Sequence, residues 1–292
     1  MNQQSNFSAS WSLTTACNYK CKYCYRYTSG KLSSYEEAKG ITDKLYSWGC
    51  RKLSLAGGEP MLWHSKAEVI DLIRYLKLKG IKTELITNGS YLTTSDLDNF
   101  KDVLDILTID IDTLNNAEQV LLGRPVSHLS HALSLHHYAR KSGMKIKLNT
   151  VVTSINLVSI REMCEFVKKN GYYRWKIYQY MPVVEFTEKD DSLTVSDDDF
   201  EDLRKYVEDQ LNGSEVQLVI ENNDQMHNSY MNITPDGIIH TNKIENKRII
   251  KIEIGRVMDM NFKNFTANEF VDLVKFYKYH SVTEERRESC FA

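Results

Sequence analysis

Hydrophobic positions along this chain switch repeatedly between two spacings. Short apolar runs of strand length, "SASWSLTTA", "KLSLAGGEP", "KTELITNGS", "DILTIDID", "KIKLNTVV" and "RWKIYQYMPVV", are separated by stretches whose apolar residues return every three or four positions. The helical stretches are "SYEEAKGITDKLYSWG", "KAEVIDLIRYLKLKG", a short one near "TTSDLDNF", "HLSHALSLHHYARKSG", "LVSIREMCEFVKKNG" and "SDDDFEDLRKYVEDQL". The first opens on acidic residues, as the positive end of a helix dipole prefers. Repeated strand-helix units predict a parallel sheet with helices outside it. Six such units are fewer than the eight of a closed barrel, so the expected fold is α/β: a partial (βα)6 TIM-like barrel over residues 1–220, with residues 221–292 as a C-terminal extension.

Composition narrows the partners. At 292 residues, 42% hydrophobic and 26% charged, the chain is neither disordered nor fibrous. No run approaches the roughly 18 uncharged apolar residues of a membrane span, and the start "MNQQSNFSAS" lacks the basic and apolar regions of a signal peptide. A cytoplasmic protein without a membrane partner is expected. Lysine and arginine number 37 and aspartate and glutamate 39, so no global field gathers nucleic acid, and an anionic ligand needs local cations.

Three of the six cysteines, Cys17, Cys21 and Cys24, fall together in "ACNYKCKYCYRY" after the first strand. In a reducing compartment such a cluster reads as metal ligands or catalytic groups rather than disulfides. Three thiolates at Cys-x-x-x-Cys-x-x-Cys spacing can wrap one face of an iron-sulfur cube and leave one iron open for a further ligand. Zinc, which would want a fourth nearby Cys or His, and plain buried cysteines are the competing readings. Cys50, Cys164 and Cys290 are scattered, so no second cluster is expected. His128, His131, His136 and His137 share one helix without a carboxylate in register and read as surface or packing residues.

In such folds chemistry gathers at the carboxyl ends of the strands, and the unusual residues lie there. "GGEP" (Gly57–Pro60) follows the second strand and "TNGS" (Thr87–Ser90) the third; Asp110 and Asp112 end the fourth, Lys147 and Asn149 lie on the fifth, and Arg174, Lys176 and Gln179 on the sixth. Glycine at "GGEP" lets a backbone carbonyl approach a ligand closely. Lys145 and Lys147 alternate with apolar neighbours, as do Arg174 and Lys176, so each pair is expected on one face of its strand, where adjacent strands would form a phosphate pocket.

The cysteine loop, with Tyr23 before its last cysteine and "GGEP" in register behind it, resembles that of radical SAM enzymes. Within them, "CNYKCKYCY", "SLAGGEP", "ITNGS", "LLGR", "KIKLNTVV", "RWKIYQ" and "NSYMNITPDG" resemble the viperin family in order and spacing, from about Ser10 to Gly237. The resemblance implies a 4Fe-4S cluster on Cys17, Cys21 and Cys24, with S-adenosylmethionine on the open iron. It implies cofactor contacts from Gly57, Gly58, Glu59, Ser90, Asp112 and Arg124, the arginine pairing with the methionine carboxylate through its bidentate fork. For the nucleotide it implies Lys147, Asn149, Arg174 and Lys176, with Lys247 and Arg248 of the C-terminal basic run as candidates, and Tyr230 as a catalytic phenol beside the sugar.

Viperins convert a ribonucleoside triphosphate into its 3′-deoxy-3′,4′-didehydro form, an antiviral chain terminator, so a lyase-type enzyme is implied, with CTP as the default substrate and UTP or GTP as alternatives. The deoxyadenosyl radical takes the ribose 4′ hydrogen, the 3′ hydroxyl leaves as water, and one electron from a flavodoxin- or ferredoxin-type donor closes the cycle. A monomer is expected. Compared with the animal proteins, which have an N-terminal amphipathic helix and a tryptophan tail, this sequence starts almost at the core strand and ends "ERRESCFA", so a prokaryotic-type enzyme with a different cluster-assembly route is expected; it also carries Asp110 where they have serine. A radical SAM enzyme for a peptide or small metabolite, or a non-catalytic iron-sulfur sensor, are the readings from other classes; neither accounts for "RWKIYQ" and "NSYMNITPDG" together.

Overall fold

Alternation along each strand sends apolar side chains to one face and polar ones to the other. In the computed structural model, Trp11, Leu53, Leu55, Leu85, Leu107, Ile109, Leu148 and Trp175 are buried in one hydrophobic core under the helices. Their strand neighbours Ser10, Ser54, Glu84, Thr108, Lys147 and Lys176 take the opposite face and line a polar lumen. The structure describes residues 6–26, 30–183, 191–245, 248–269 and 271–280.

Seven strands pair in parallel in chain order: β1 (Phe7–Ser12), β2 (Cys50–Ala56), β3 (Lys82–Thr87), β4 (Ile106–Asp110), β5 (Ile146–Val152), β6 (Arg174–Gln179) and β7 (Gln217–Glu221). Between them run α1 (Tyr35–Trp48), α2 (Lys66–Leu78), α3 (Thr94–Phe100), α4 (Asn116–Leu121), α5 (His128–Lys141), α6 (Ile160–Asn170) and α7 (Asp197–Leu211). Local chemistry sets their ends. Ser34 caps α1 through a reciprocal box with Glu37, and Gly49 stops it at φ 105°. The six strands and major helices read from the sequence are all present, while β7 is a seventh parallel strand, and the expected boundary at residue 220 falls inside it.

After β7 comes α8 (Asn223–Met226), and then the chain returns to the other edge of the sheet. There β8 (Asn232–Ile233) pairs in parallel with β1, and β9 (Ile238–Glu245) with β10 (Arg248–Arg256) forms an antiparallel hairpin beyond it. The Trp11 indole N–H, donating to the Thr234 carbonyl at 3.0 Å, ties this return to the first strand. Two further helices, α9 (Phe262–Thr266) and α10 (Leu273–His280), bring Phe262 and Phe276 against Phe7.

The sheet curls until its two flanks nearly meet: Val183, just past β6, bridges to Ile249 of β10, and the Ile249 amide donates to the Pro182 carbonyl at 3.2 Å. The result is a partial barrel whose lumen is roofed on one side by the C-terminal hairpin. No helix among the described residues is long and apolar enough to cross a membrane.

Candidate active site

The cysteine loop leaves β1 and is gripped from three directions. Glycine makes the first grip possible. The Gly58 amide donates to the Thr14 carbonyl at 2.7 Å and the Glu59 amide to the Ala16 carbonyl at 2.7 Å. A Cβ on Gly58 would lie 2.1 Å from the Ala16 carbonyl oxygen, and one on Gly57, at φ 143°, 2.6 Å from that of Thr14. The close approach that these glycines visibly permit is therefore to the loop's own backbone.

From the second side, the Glu59 carboxylate is fully buried and accepts from the Thr87 hydroxyl (2.7 Å), the Asn88 amide (2.9 Å) and the Met61 amide (3.1 Å). Burial raises its pKa against these hydrogen bonds. Glu59 thus locks "GGEP" to "TNGS", with its oxygens spent on protein donors. "TNGS" in turn reaches the cysteine loop: the Asn18 side-chain amide donates to Ser90 Oγ at 2.9 Å, and that of Asn88 donates to Asn18 Oδ1 at 3.1 Å.

The third grip is "LLGR". The Lys22 amide donates to the Leu122 carbonyl at 3.0 Å, and Gly123, at φ 87°, leaves room for the Lys20 carbonyl, which a Cβ would meet at 2.3 Å. Arg124 is 4% exposed; its Nε donates to Asp112 Oδ2 at 2.8 Å, and the Tyr23 hydroxyl donates to the same oxygen at 2.5 Å. The other Asp112 oxygen accepts the Val151 amide at 3.0 Å. Asp112, expected beside the cofactor, is thus an anchor that joins β5, Arg124 and the tyrosine of the cysteine motif.

Below this loop lies the lumen, where the sequence placed the nucleotide. Lys147 and Arg174 are register partners on β5 and β6, as are Asn149 and Lys176, so these four residues form two adjoining rungs. Lys147 does not stand alone. Its Nζ donates to Glu84 Oε1 at 2.7 Å, and Lys52 donates to Glu84 Oε2 at 2.6 Å, with Thr108 and Ser54 hydroxyls completing the carboxylate's shell. Burial would raise the Glu84 pKa, but Lys147 and Lys52 overcome it and hold the carboxyl well below the usual range. Burial lowers that of Lys147 to about 8 despite Glu84.

On the next rung, Lys176 Nζ is 2.9 Å from Glu221 Oε1 and donates to the Tyr230 hydroxyl at 2.8 Å; the phenol also donates to Glu221. Burial, then the Glu221 charge, drive the Tyr230 pKa well above its ordinary value, so it is a neutral phenol near neutral pH. Arg174 donates to Gln217 Oε1 at 2.8 Å and lies over the Tyr173 ring.

Some expectations do not meet here. Lys145 precedes β5, is exposed and sits over the Tyr173 ring, so it does not share the Lys147 site. Gln179 faces away from the lumen, donating to the Val195 carbonyl and Asp197. Lys247 and Cys290 lie outside the described residues, and Arg248 opens β10 with its backbone paired to Glu245. Lys251 of the same basic run donates to the Tyr25 carbonyl at 2.9 Å, which brings the hairpin onto the cysteine loop. The histidines of α5 are structural: His128 and His131 bond the carbonyls of Asp110 and Gly89, and buried His136 bonds Tyr172. Lys52, Glu84 and Glu221 were not singled out in the sequence, although a charge at alternate positions of a buried strand marks each.

Residues 11–167 match the radical SAM superfamily. The chain belongs to that superfamily. Among similar curated proteins, an S-adenosylmethionine-dependent nucleotide dehydratase of Flammeovirga pacifica is 27% identical over 93% of this chain and 96% of its own length. One of Lacinutrix mariniflava is 28% identical over 94% of this chain, which spans only 59% of that relative. The dehydratase RSAD2 of Siniperca chuatsi is 29% identical over 77% of this chain and 65% of its own. Among solved structures, S-adenosylmethionine-bound SuiB of Streptococcus suis superposes with a TM-score of 0.72 at 17% identity, over 94% of this chain and 68% of that one. At that identity the likeness speaks for the fold.

As a radical SAM protein, the chain uses a four-iron cluster and S-adenosylmethionine. The donor set fits them. Cys17, Cys21 and Cys24 carry free, partly exposed thiols on one loop. Among the described residues no three Cys, His, Asp or Glu side chains converge as ligands of one ion would. Burial pushes the Cys21 thiol up to about 11, so cluster binding must displace its proton.

Proposed function

We propose that this radical SAM protein is a viperin-type nucleotide dehydratase, which converts a ribonucleoside triphosphate, CTP by default, to its 3′-deoxy-3′,4′-didehydro form. The observation that carries the reading is the lumen directly beneath the cysteine loop, where Lys52, Lys147, Arg174 and Lys176 come from three strands of one face. A triphosphate bears about four negative charges near neutral pH, and a chain of net charge -2 must gather its cations locally to bind one. The nucleotide dehydratases among its relatives support the same substrate class.

In this reading Cys17, Cys21 and Cys24 hold the cluster, while the "GGEP", "TNGS" and "LLGR" segments frame S-adenosylmethionine, with Gly57, Gly58, Ser90 and Arg124 nearest it. When bound, the two groups supply a hydrogen-abstracting 5′-deoxyadenosyl radical. The chain's own residues do the rest. Lys147 and Arg174 bind the phosphates from the lower rung and Lys176 reaches them from the rung above, which sets the sugar between the lower cations and the cysteine loop. Asn149 lies on the sugar's rung, and Tyr230, neutral and already hydrogen-bonded to Lys176, faces the same space as a hydrogen-bond or hydrogen-atom donor. The hairpin of β9 and β10, part of the extension over 221–292, roofs the lumen and shields a carbon radical from stray hydrogen donors. A one-electron donor of the flavodoxin or ferredoxin class completes the reaction.

The test is an anaerobic assay of the reconstituted protein with S-adenosylmethionine, reductant and each ribonucleoside triphosphate in turn. Mass spectrometry should find 5′-deoxyadenosine together with a nucleotide lighter by one water for at least one triphosphate. Deoxyadenosine formed equally with no nucleotide present, and no nucleotide altered, would move the substrate to a peptide or another metabolite.

A further inference from the structure

Two buried acceptors in the lumen have no donor. Asp110 ends β4 and Asn149 lies opposite it on β5 as its register partner. The Oδ1 atom of each is buried and has no hydrogen-bond partner among the described residues, and Asn149 is only 7% exposed. Buried acceptors are normally satisfied, and a pair left open side by side calls for a ligand with neighbouring O–H groups. Their height matters. They sit one rung nearer the cysteine loop than Thr108 and Lys147, between the lowest cations and the loop. In a nucleotide held by its phosphates with its reacting carbon toward that loop, the ribose occupies this level.

We propose that Asp110, with Asn149 beside it, reads the ribose hydroxyls, and that Asp110 is the catalytic acid that protonates the departing 3′ hydroxyl. The inference rests on the nucleotide reading above. Once a hydrogen atom has left C4′, the Asp110 O–H bond breaks and its proton joins the 3′ oxygen. The C3′–O bond then breaks with both electrons leaving on oxygen as water, and Asp110 remains as carboxylate. The sugar, now one electron short, is completed by one electron from the donor protein, which leaves the C3′–C4′ double bond. Solvent later returns the proton to Asp110.

The surroundings suit this role. Burial pushes the Asp110 carboxyl up to about 7; Arg124 and Lys147 pull it down, Asp112 pushes it up, and the Asn149 amide favours its ionised form. Tyr178 from β6, Tyr25 from the cysteine loop and His128 of α5, whose Nε2 bonds the Asp110 carbonyl, also face it; the two phenols are raised by burial and the imidazole is lowered to about 4, so all three stay uncharged in this range. The acid form carries the step, so the rate of water loss is highest well below pH 7, about half of that near pH 7, and falls above it.

The experiment uses reconstituted holoenzyme with CTP, GTP and UTP and the 3′-deoxy counterpart of whichever binds, comparing wild type with Asp110→Asn and Asp110→Ala. Wild type should bind the 3′-deoxy nucleotide about tenfold more weakly than the ribonucleotide, and Asp110→Ala should bind the two alike. Asp110→Asn should keep the cluster spectrum and ribonucleotide affinity and still release 5′-deoxyadenosine, while dehydrated product falls about 100-fold or more and the alkaline fall of the rate disappears. Dehydration by Asp110→Asn at the wild-type rate, or wild-type binding indifferent to the 3′ hydroxyl, overturns the proposal alone. Failure of wild type to bind any ribonucleotide overturns it together with the nucleotide reading.

Discussion

Lys147 and Glu84, on two strands separated by β4, meet inside the lumen at 2.7 Å, and Lys52 holds the other oxygen of the same carboxylate. One negative charge therefore restrains two of the cations that the nucleotide would use. Glu84→Gln should cost about 3 kcal/mol or more, because two buried ammonium groups lose their counter-ion. For a chain of 292 residues that lowers Tm by about 5 °C. The same variant should be stabilised more by added nucleotide than wild type is, since phosphate replaces the missing charge. Calorimetry with and without nucleotide measures both, and a variant melting at the wild-type temperature would show that the pair contributes nothing.

Two glycines predict opposite outcomes. Gly58→Ala places a methyl 2.1 Å from the Ala16 carbonyl oxygen, a backbone atom that cannot swing aside, and should expel the cysteine loop from its seat. Gly40 lies within α1, and a Cβ there would meet Met258 Cε at an ordinary 3.6 Å. Gly40→Ala should stabilise by up to about 1 kcal/mol through helix propensity. Denaturant unfolding of the two proteins checks the sign of each, and equal effects would contradict the packing described.

The acid limb of stability has a structural origin. Burial lowers the His136 pKa from 6.5 to about 3, so the unfolded chain binds the proton more readily than the folded one. Its contribution is fully present above about pH 6.5 and is lost progressively as the pH falls toward 3. Glu84, depressed by its lysines, adds a further loss below its unfolded range. His136→Leu loses the bond to Tyr172 but should flatten the upper part of this decline. Urea midpoints measured across that range would refute the assignment if the slope were unchanged.

Cys21→Ala should abolish the charge-transfer absorbance of the reconstituted cluster while leaving the parallel sheet folded, because the loop is held by Gly58, Glu59 and Leu122 rather than by the thiols. Retained absorbance with retained cleavage of S-adenosylmethionine would remove Cys21 from the ligands. Lys176→Ala should weaken nucleotide binding and leave that absorbance intact. Titration calorimetry showing unchanged affinity would take Lys176 out of the pocket.

The strands and main helices of the barrel were legible because each carries its own period, and α1, α2 and α7 also carry a side-chain cap, information local to a few residues. Arg174 and Lys176 were correctly placed on one face by the same rule, whereas Lys145 was not, since β5 starts one residue after it and alternation does not reach that far. The C-terminal hairpin escaped notice: "RIIKIEIGR" carries charges on both faces, and the place of the hairpin in the sheet is set by β8, which returns to β1 across more than 200 residues. Glu84 and Glu221 escaped for a related reason. Their meaning lies in lysines of other strands, and only the register between strands brings them together. Asp112 and Glu59 were visible as motif residues, but that their oxygens are occupied by protein donors follows from loop geometry alone.

The roof of the barrel is also its last part to be made. The hairpin that bridges Ile249 to Val183 and sets Lys251 on the Tyr25 carbonyl ends at residue 256, while the cysteines lie within the first 24 positions. A chain leaving the ribosome grows by about 5–20 residues per second, so for about ten seconds or more the thiol loop exists without the strands that later cover it. Delivery of iron and sulfide during synthesis would meet an open cradle. Delivery to the finished protein meets thiols that are only partly exposed, with the hairpin already resting on the loop at Tyr25.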